Sequence, residues 1–300
     1  MDFFRNKREG AVEKRTLMIV LVVIAFLLVG ELVFLLVISG KGSSPETVNV
    51  EASFTPAPTT APTPEPTEEP TPEPTVEPTE EPTPEPTEDV GNGFMVAIDA
   101  GHQRRGDSST EPVGPGSSTK KAKVADGATG VSTGVPEYQL NLDVAKKLKS
   151  ELKRRGYKVY MIRSKNDVNI SNIERAQAAN DSGADIYIRL HADGIDDSGV
   201  RGASALYHTT DNPYNPELSK KSKKLSQCVL DAYCDLTGFR NRGLSPRDDL
   251  TGTNWSEIPV TLLEMGFMSN ASEDEQMQDE DFQETMAEGI ADGIDRYFGL

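Results

Sequence analysis

The chain has 300 residues and a net charge of −17, of which residues 51–90 hold −11 as ten Glu and one Asp with no Lys or Arg. Residues 91–300 carry 32 acidic and 25 basic side chains, an ordinary soluble surface that gives no case for nucleic acid as a partner. The two cysteines, Cys228 and Cys234, stand six apart in an expected helix, badly placed to bridge each other, so no disulfide framework is expected.

Residues 1–16 contain Arg5, Lys7, Arg8, Lys14 and Arg15 and read as a cytoplasmic N-terminus. Residues 17–39 are almost wholly apolar, broken only by Gly30 and Glu31, and are long enough to cross a bilayer. The charge before this run puts the remainder of the chain outside the cell membrane. A signal cut near Val37 and Ser39 is the alternative, but the run is long for a cleaved segment, so a single-pass signal-anchor is expected. Glu31 is costly in hydrocarbon and is either tolerated or a contact for a regulatory membrane protein. Residues 40–92 follow as a linker built from units such as PTPEPTEEP, with twelve prolines among residues 51–90. Proline favours extended geometry and the glutamates repel one another, so this is a disordered, stiff Pro/Thr/Glu-rich stalk.

The globular part spans residues 93–300. Phe94–Ile98 reads as a buried strand running into Asp99-Ala-Gly-His102, the end of VAIDAGH. Gln103–Val135 is polar and rich in Gly, Ser, Thr and Lys, and is expected to be a loop forming a flap over that strand end. Glu137–Arg154 is helical, with Leu140, Val144, Leu148 and Leu152 on one stripe. Tyr157–Ile162 is a strand; Ser171 caps a helix to about Ser182, with Glu174 three residues on. Asp185–Leu190 is a strand leading to His191, and Ala203–His208 another. Pro216–Leu236 is a helix, Pro259–Leu263 a strand ending in Glu264, and Asp281–Phe298 a closing helix. This alternation predicts an α/β fold, a mostly parallel or mixed central sheet with helices on both faces.

Three strands thus end in polar residues, and carboxyl ends of strands gather on one edge of such a sheet. His102 and His191, with Glu137 at a helix start on the same edge, are the types and number of a catalytic zinc site, and Glu264 is a further carboxylate for moving protons. Singly, each residue also has a plain structural reading. Asp99 is either a strand-end cap or a partner for the second nitrogen of a ligand histidine. Arg163 and Arg175 either meet substrate carboxylates or pair on the surface. Trp255 either stacks on a sugar or peptide or fills the core, and His208 is either a groove residue or part of a half-exposed edge.

VAIDAGH, EYQLNLDVAKKLKSEL, RLHAD and LLEMGFMSN together resemble the zinc-dependent N-acetylmuramoyl-L-alanine amidase catalytic domain, the type 3 amidase family. The resemblance covers nearly all of residues 94–298. It implies hydrolysis of the amide between N-acetylmuramic acid and L-alanine in peptidoglycan, Zn2+ bound by His102, Glu137 and His191, and Glu264 as the catalytic glutamate. The sequence departs from the family where Gln103-Arg104-Arg105-Gly106 follows His102 in place of a glycine, in the long segment between the first two ligands, and where Arg189 and Asp193 flank His191 in place of Ser and Asn. A zinc peptidase cutting within the stem peptide, a non-catalytic wall-binding module and a membrane-tethered activator remain the alternatives.

Overall fold

A computed structural model of the protein describes residues 91–300. The expected cytoplasmic segment and anchor, and nearly all of the stalk, lie outside the described residues. Among the described residues, no helix is long and apolar enough to cross a membrane.

Eight strands and six helices follow in chain order. They are β1 (Met95–Ala100), β2 (Asp107–Pro112), β3 (Lys120–Val124), α1 (Glu137–Arg154), β4 (Lys158–Met161), α2 (Asn172–Asp181), β5 (Ile186–Asp193) and β6 (Ala203–Tyr207). After a 3-10 turn at Pro216–Leu218 come α3 (Ser219–Thr237), β7 (Asn241–Pro246), α4 (Thr251–Asn254), β8 (Val260–Phe267), α5 (Ala271–Gln278) and α6 (Glu280–Phe298). Six strands form the central sheet in the order β4-β1-β5-β8-β6-β7. Every pairing in it is parallel except β6 with β8, which is antiparallel. The sheet is therefore mixed, as the alternation of elements predicts.

Strand alternation assigns the faces. Val96, Ile98 and Ala100 of β1, with Ile186, Ile188 and Leu190 of β5, bury against the apolar stripes of α1, α3 and α6. Ala97 and Tyr187 bury on the other face, against Ala176 and Ala179 of α2 with Trp255 beside them. Asp99, Arg189 and His191 share that second face by the same alternation. The register sets Asp99 beside Arg189 and His191 beside Glu264. Helix ends follow local chemistry: Ser171 and Glu174 form the full capping box at α2, and Gly238 closes α3 in the left-handed region, φ 73°.

Three expectations are corrected. The segment Gln103–Val135 is not simply a loop, because β2 and β3 pair within it as an antiparallel hairpin. Their sequences, DSSTEP and KKAKV, are polar and largely exposed, so they carry no apolar alternation to read. The hairpin does lie over the end of β1, where Lys121, Ala122 and Val124 line one cavity with His102, and it is tied down. Asn172 Nδ2 donates to Lys123 O at 2.7 Å, Trp255 Nε1 to Pro112 O at 3.1 Å, and Asn254 Nδ2 to Val113 O at 3.0 Å. Finally, two strands run further than expected, β5 to Asp193 and β8 to Phe267, so His191 and Glu264 stand inside strands rather than at their ends. The antiparallel partner β6 extends the pairing there, with Ser204 opposite Glu264.

Candidate metal centre

The turn after β1 carries His102 at φ 58°, the sole non-glycine with positive φ among the described residues. That conformation is uncommon for any residue with a Cβ, and it has support from its surroundings. Two buried arginines supply it. Arg163 donates to Ala100 O, Gly101 O and Tyr138 O at 2.7, 3.0 and 2.7 Å. Arg175 donates to Ala100 O at 3.0 Å, His102 O at 2.9 Å and Gln103 Oε1 at 3.0 Å. Gln103 is thus a buried brace for the turn, while Arg104 and Arg105 are exposed.

His102, Glu137 and His191 come together as three possible ligands whose donor atoms all lie within 4.8 Å of one another. His102 Nδ1 lies 2.8 Å from Ala125 O. Donating a proton there leaves the lone pair of Nε2 facing Glu137 Oε1, 3.2 Å away. His191 Nδ1 is 3.1 Å from the same oxygen, and His191 Nε2 is buried against Gly101 with no partner. Glu137 is itself fixed. Its Oε2 accepts from Ala128 N at 2.9 Å, and its Oε1 from Ala192 N and Asn141 Nδ2, both at 3.1 Å.

One carboxylate oxygen facing two imidazole nitrogens is a donor set that a cation satisfies. Tetrahedral zinc with bonds of about 2.05 Å has ligand-to-ligand edges of about 3.3 Å, close to the two distances found. The residues fit the ion. Charge is shared within the triad. Burial opposes ionisation of both Glu137 and His102, yet their mutual hydrogen bond holds the Glu137 carboxyl well below its ordinary range and raises the His102 pKa. Burial pushes His191 down to about 4, so its ring is neutral and ready to ligate.

Glu264 is half-buried on the neighbouring strand. Burial and the nearby carboxylates of Glu137 and Asp193 push its pKa well above the ordinary range. Asp99 does not reach a ligand histidine. Its oxygens accept from Arg175 Nη1 at 2.6 Å, Arg189 Nε at 3.1 Å and Tyr187 Oη at 3.1 Å. Arg163 and Arg175 are 2% and 1% exposed, so neither is a surface pair nor free to meet substrate; they act by holding the His102 turn. Trp255 packs beside the smaller core and ties down the hairpin. His208 is fully buried rather than at a half-exposed edge. Sequence reasoning missed Asn141, although it lies four residues after Glu137 and hence on the same helical face. It links Glu137 Oε1 to Gly101 O, at 3.1 and 3.3 Å.

The N-acetylmuramoyl-L-alanine amidase family matches residues 96–296, which include every residue of this centre. The chain belongs to that family. It is 29% identical over 168 residues to N-acetylmuramoyl-L-alanine amidase LytC of Bacillus subtilis, covering 56% of this chain and 32% of that protein. It is also 29% identical over 173 residues to the probable cell wall amidase LytH of Staphylococcus epidermidis, covering 56% of this chain and 54% of that one. The chain thus spans about a third to a half of these two relatives. Among solved structures it is similar to the N-acetylmuramyl-L-alanine amidase Ami1 of Mycobacterium smegmatis, with TM-score 0.63 and 26% identity over 69% of this chain and 97% of that one. It is also similar to the catalytic domain of CwlV from Bacillus (Paenibacillus) polymyxa var. colistinus, with TM-score 0.55 and 28% identity over 69% and 99%. The amidase fold and the His-Glu-His centre therefore occur together in this chain.

Proposed function

We propose that this protein hydrolyses the amide between N-acetylmuramic acid and L-alanine in peptidoglycan, with zinc as cofactor and Glu264 as general base and acid. The observation that carries the reading is the convergence of His102, Glu137 and His191 around one carboxylate oxygen, with Glu264 in register beside His191. Zinc bound there supplies a Lewis acid and lowers the pKa of water. Glu264 takes a proton from the attacking water and returns it to the alanine nitrogen, which would otherwise leave as a strongly basic anion. A positive charge bound nearby lowers the raised pKa of Glu264, which brings it towards the range a proton carrier needs. Glu137, held by backbone and Asn141 donors, stays a ligand rather than a second base.

The apolar run at residues 17–39 and the proline-rich stalk support a second part of the reading. The catalytic domain works outside the cell membrane, anchored by one uncleaved span with its N-terminus in the cytoplasm, and Glu31 offers a contact for a membrane protein partner.

The decisive variant is Glu264→Gln. It is expected to lower hydrolysis of purified cell wall by about 100-fold or more while bound zinc, measured by elemental analysis, is unchanged. The product assay is equally specific, because wild-type enzyme must free the amine of L-alanine and leave the lactyl acid on the sugar. Unchanged hydrolysis by the zinc-loaded variant would refute the role of Glu264.

A further inference from the structure

Beside the metal centre, under the hairpin, lies a cavity of about 340 Å³ bounded by His102 and His191, Val124 of β3, Leu250, Leu262 and Arg189. Arg189 is one of three buried arginines on this side of the site and differs from the other two in its hydrogen bonding. Arg163 and Arg175 each use all five guanidinium N–H groups on protein oxygens. Arg189 uses two, from Nε to Asp99 Oδ2 at 3.1 Å and from Nη2 to Asn172 Oδ1 at 2.9 Å. Its Nη1 has no acceptor among the described residues, although the side chain is only 4% exposed. Gly252 leaves that nitrogen uncapped, since a Cβ there would lie 2.5 Å from it.

Charge points the same way. Asp99 is the one carboxylate that ion-pairs with these guanidiniums among the described residues, and it is shared between Arg175 and Arg189. Asp249 also lines the cavity but is paired with Lys121 and Arg247, so Arg189 faces the cavity with open N–H donors and no acidic partner beyond the shared Asp99. A planar guanidinium fork with open N–H groups is matched by a carboxylate.

We propose that this cavity is a substrate subsite in which Arg189 binds a carboxylate of the peptide stem, making Arg189 a specificity residue for acidic stems. The proposal rests on the amidase reading, because the scissile carbonyl must lie at the metal centre. Arg189 and His191 are two positions apart on one face of β5, a step of about 7 Å. An extended peptide covers that distance in about two residues. The carboxyl that reaches Arg189 is therefore the one on the residue after L-alanine. Amidation of that carboxyl removes the charge and puts an N–H pair against the guanidinium.

The test uses the zinc-loaded protein and two N-acetylmuramoyl-L-alanyl peptides that differ only in whether the carboxyl of the residue after alanine is free or amidated. Wild type is expected to cleave the free acid with kcat/KM about 10-fold or more above the amide, as befits a charged hydrogen bond. Arg189→Gln should collapse that ratio towards one, mainly by slowing the acid, and Arg189→Lys should restore part of it. A structural role alone would lower both substrates together and leave the ratio standing. Equal rates for the two peptides with wild type, or a ratio unmoved in both variants, overturns the proposal. If Arg189→Gln does not fold, the wild-type ratio and the Lys variant decide. Cleavage of neither peptide sinks the amidase reading instead; calorimetric binding of the same pair then decides the subsite by the same preference.

Discussion

A carboxylate with no solvent contact persists at Asp99 because two guanidiniums and a tyrosine hydroxyl meet it. Burial alone pushes its pKa up, but Arg175 and Arg189 outweigh that and hold it well below the ordinary carboxylate range. Such a depressed group stabilises the fold fully above the unfolded pKa, and the contribution is lost as pH falls towards the folded value. Asp99→Asn leaves two buried cations short of their counter-charge and should cost about 3–5 kcal/mol at neutral pH. Urea unfolding at a series of pH values checks both statements: the gap between variant and wild type should narrow below about pH 4, and a gap independent of pH would contradict the pairing. At this scale His102, Glu137 and His191 were legible as residue types suited to zinc, and the resemblance to the amidase family made them a set; the extension of β5 past His191 was not legible. The roles of Arg163, Arg175 and Arg189 were not. A sequence shows that a charge is present, but where a guanidinium turns depends on carbonyls brought in from β1 and α1, such as Ala100 O and Tyr138 O.

Elements show the same division between periodic and non-periodic signals. The stripe Phe282, Met286, Ile290, Ile294 of α6 was readable from its spacing and packs against the core. What lets α6 approach α3 closely was not, because it depends on the absence of side chains at Gly289 and Gly293. A Cβ at Gly289 would lie 3.0 Å from Tyr233 Cα, and one at Gly293 would press into Val229 Cα. Gly293→Ala gains helix propensity but must separate two helices, and the overpacking should win by about 1–3 kcal/mol. Thermal melting of Gly293→Ala against an exposed control such as Glu288→Ala reads this directly. A variant as stable as wild type would mean the helices part at no cost. β7 escaped sequence reading for the reason the hairpin did: NRGLSP is half-exposed at a sheet edge, joined to β6 through its backbone, and offers no apolar alternation.

At the scale of the whole domain, the metal centre joins places distant in sequence: the end of β1 at residue 102, the start of α1 at 137 and β5 at 191. An ion that binds the folded arrangement and not the unfolded chain stabilises the fold by mass action, about 2.7 kcal/mol when free zinc is 100 times its dissociation constant. For a domain of this size each kcal/mol moves the midpoint by about 2–4 °C, so a strong chelator should lower Tm by about 5–10 °C and added zinc should restore it. The specificity of the effect lies in the controls. His191→Ala removes one ligand without touching Asp99 or the arginine braces, so it should melt near the chelated wild type and no longer respond to zinc. Glu264→Gln keeps all three ligands and should retain the full zinc response while losing hydrolysis. If the Gln variant lost the response, Glu264 would be holding the ion rather than moving a proton. If the Ala variant kept it, the ion would be held at a different place from the one His102, Glu137 and His191 enclose.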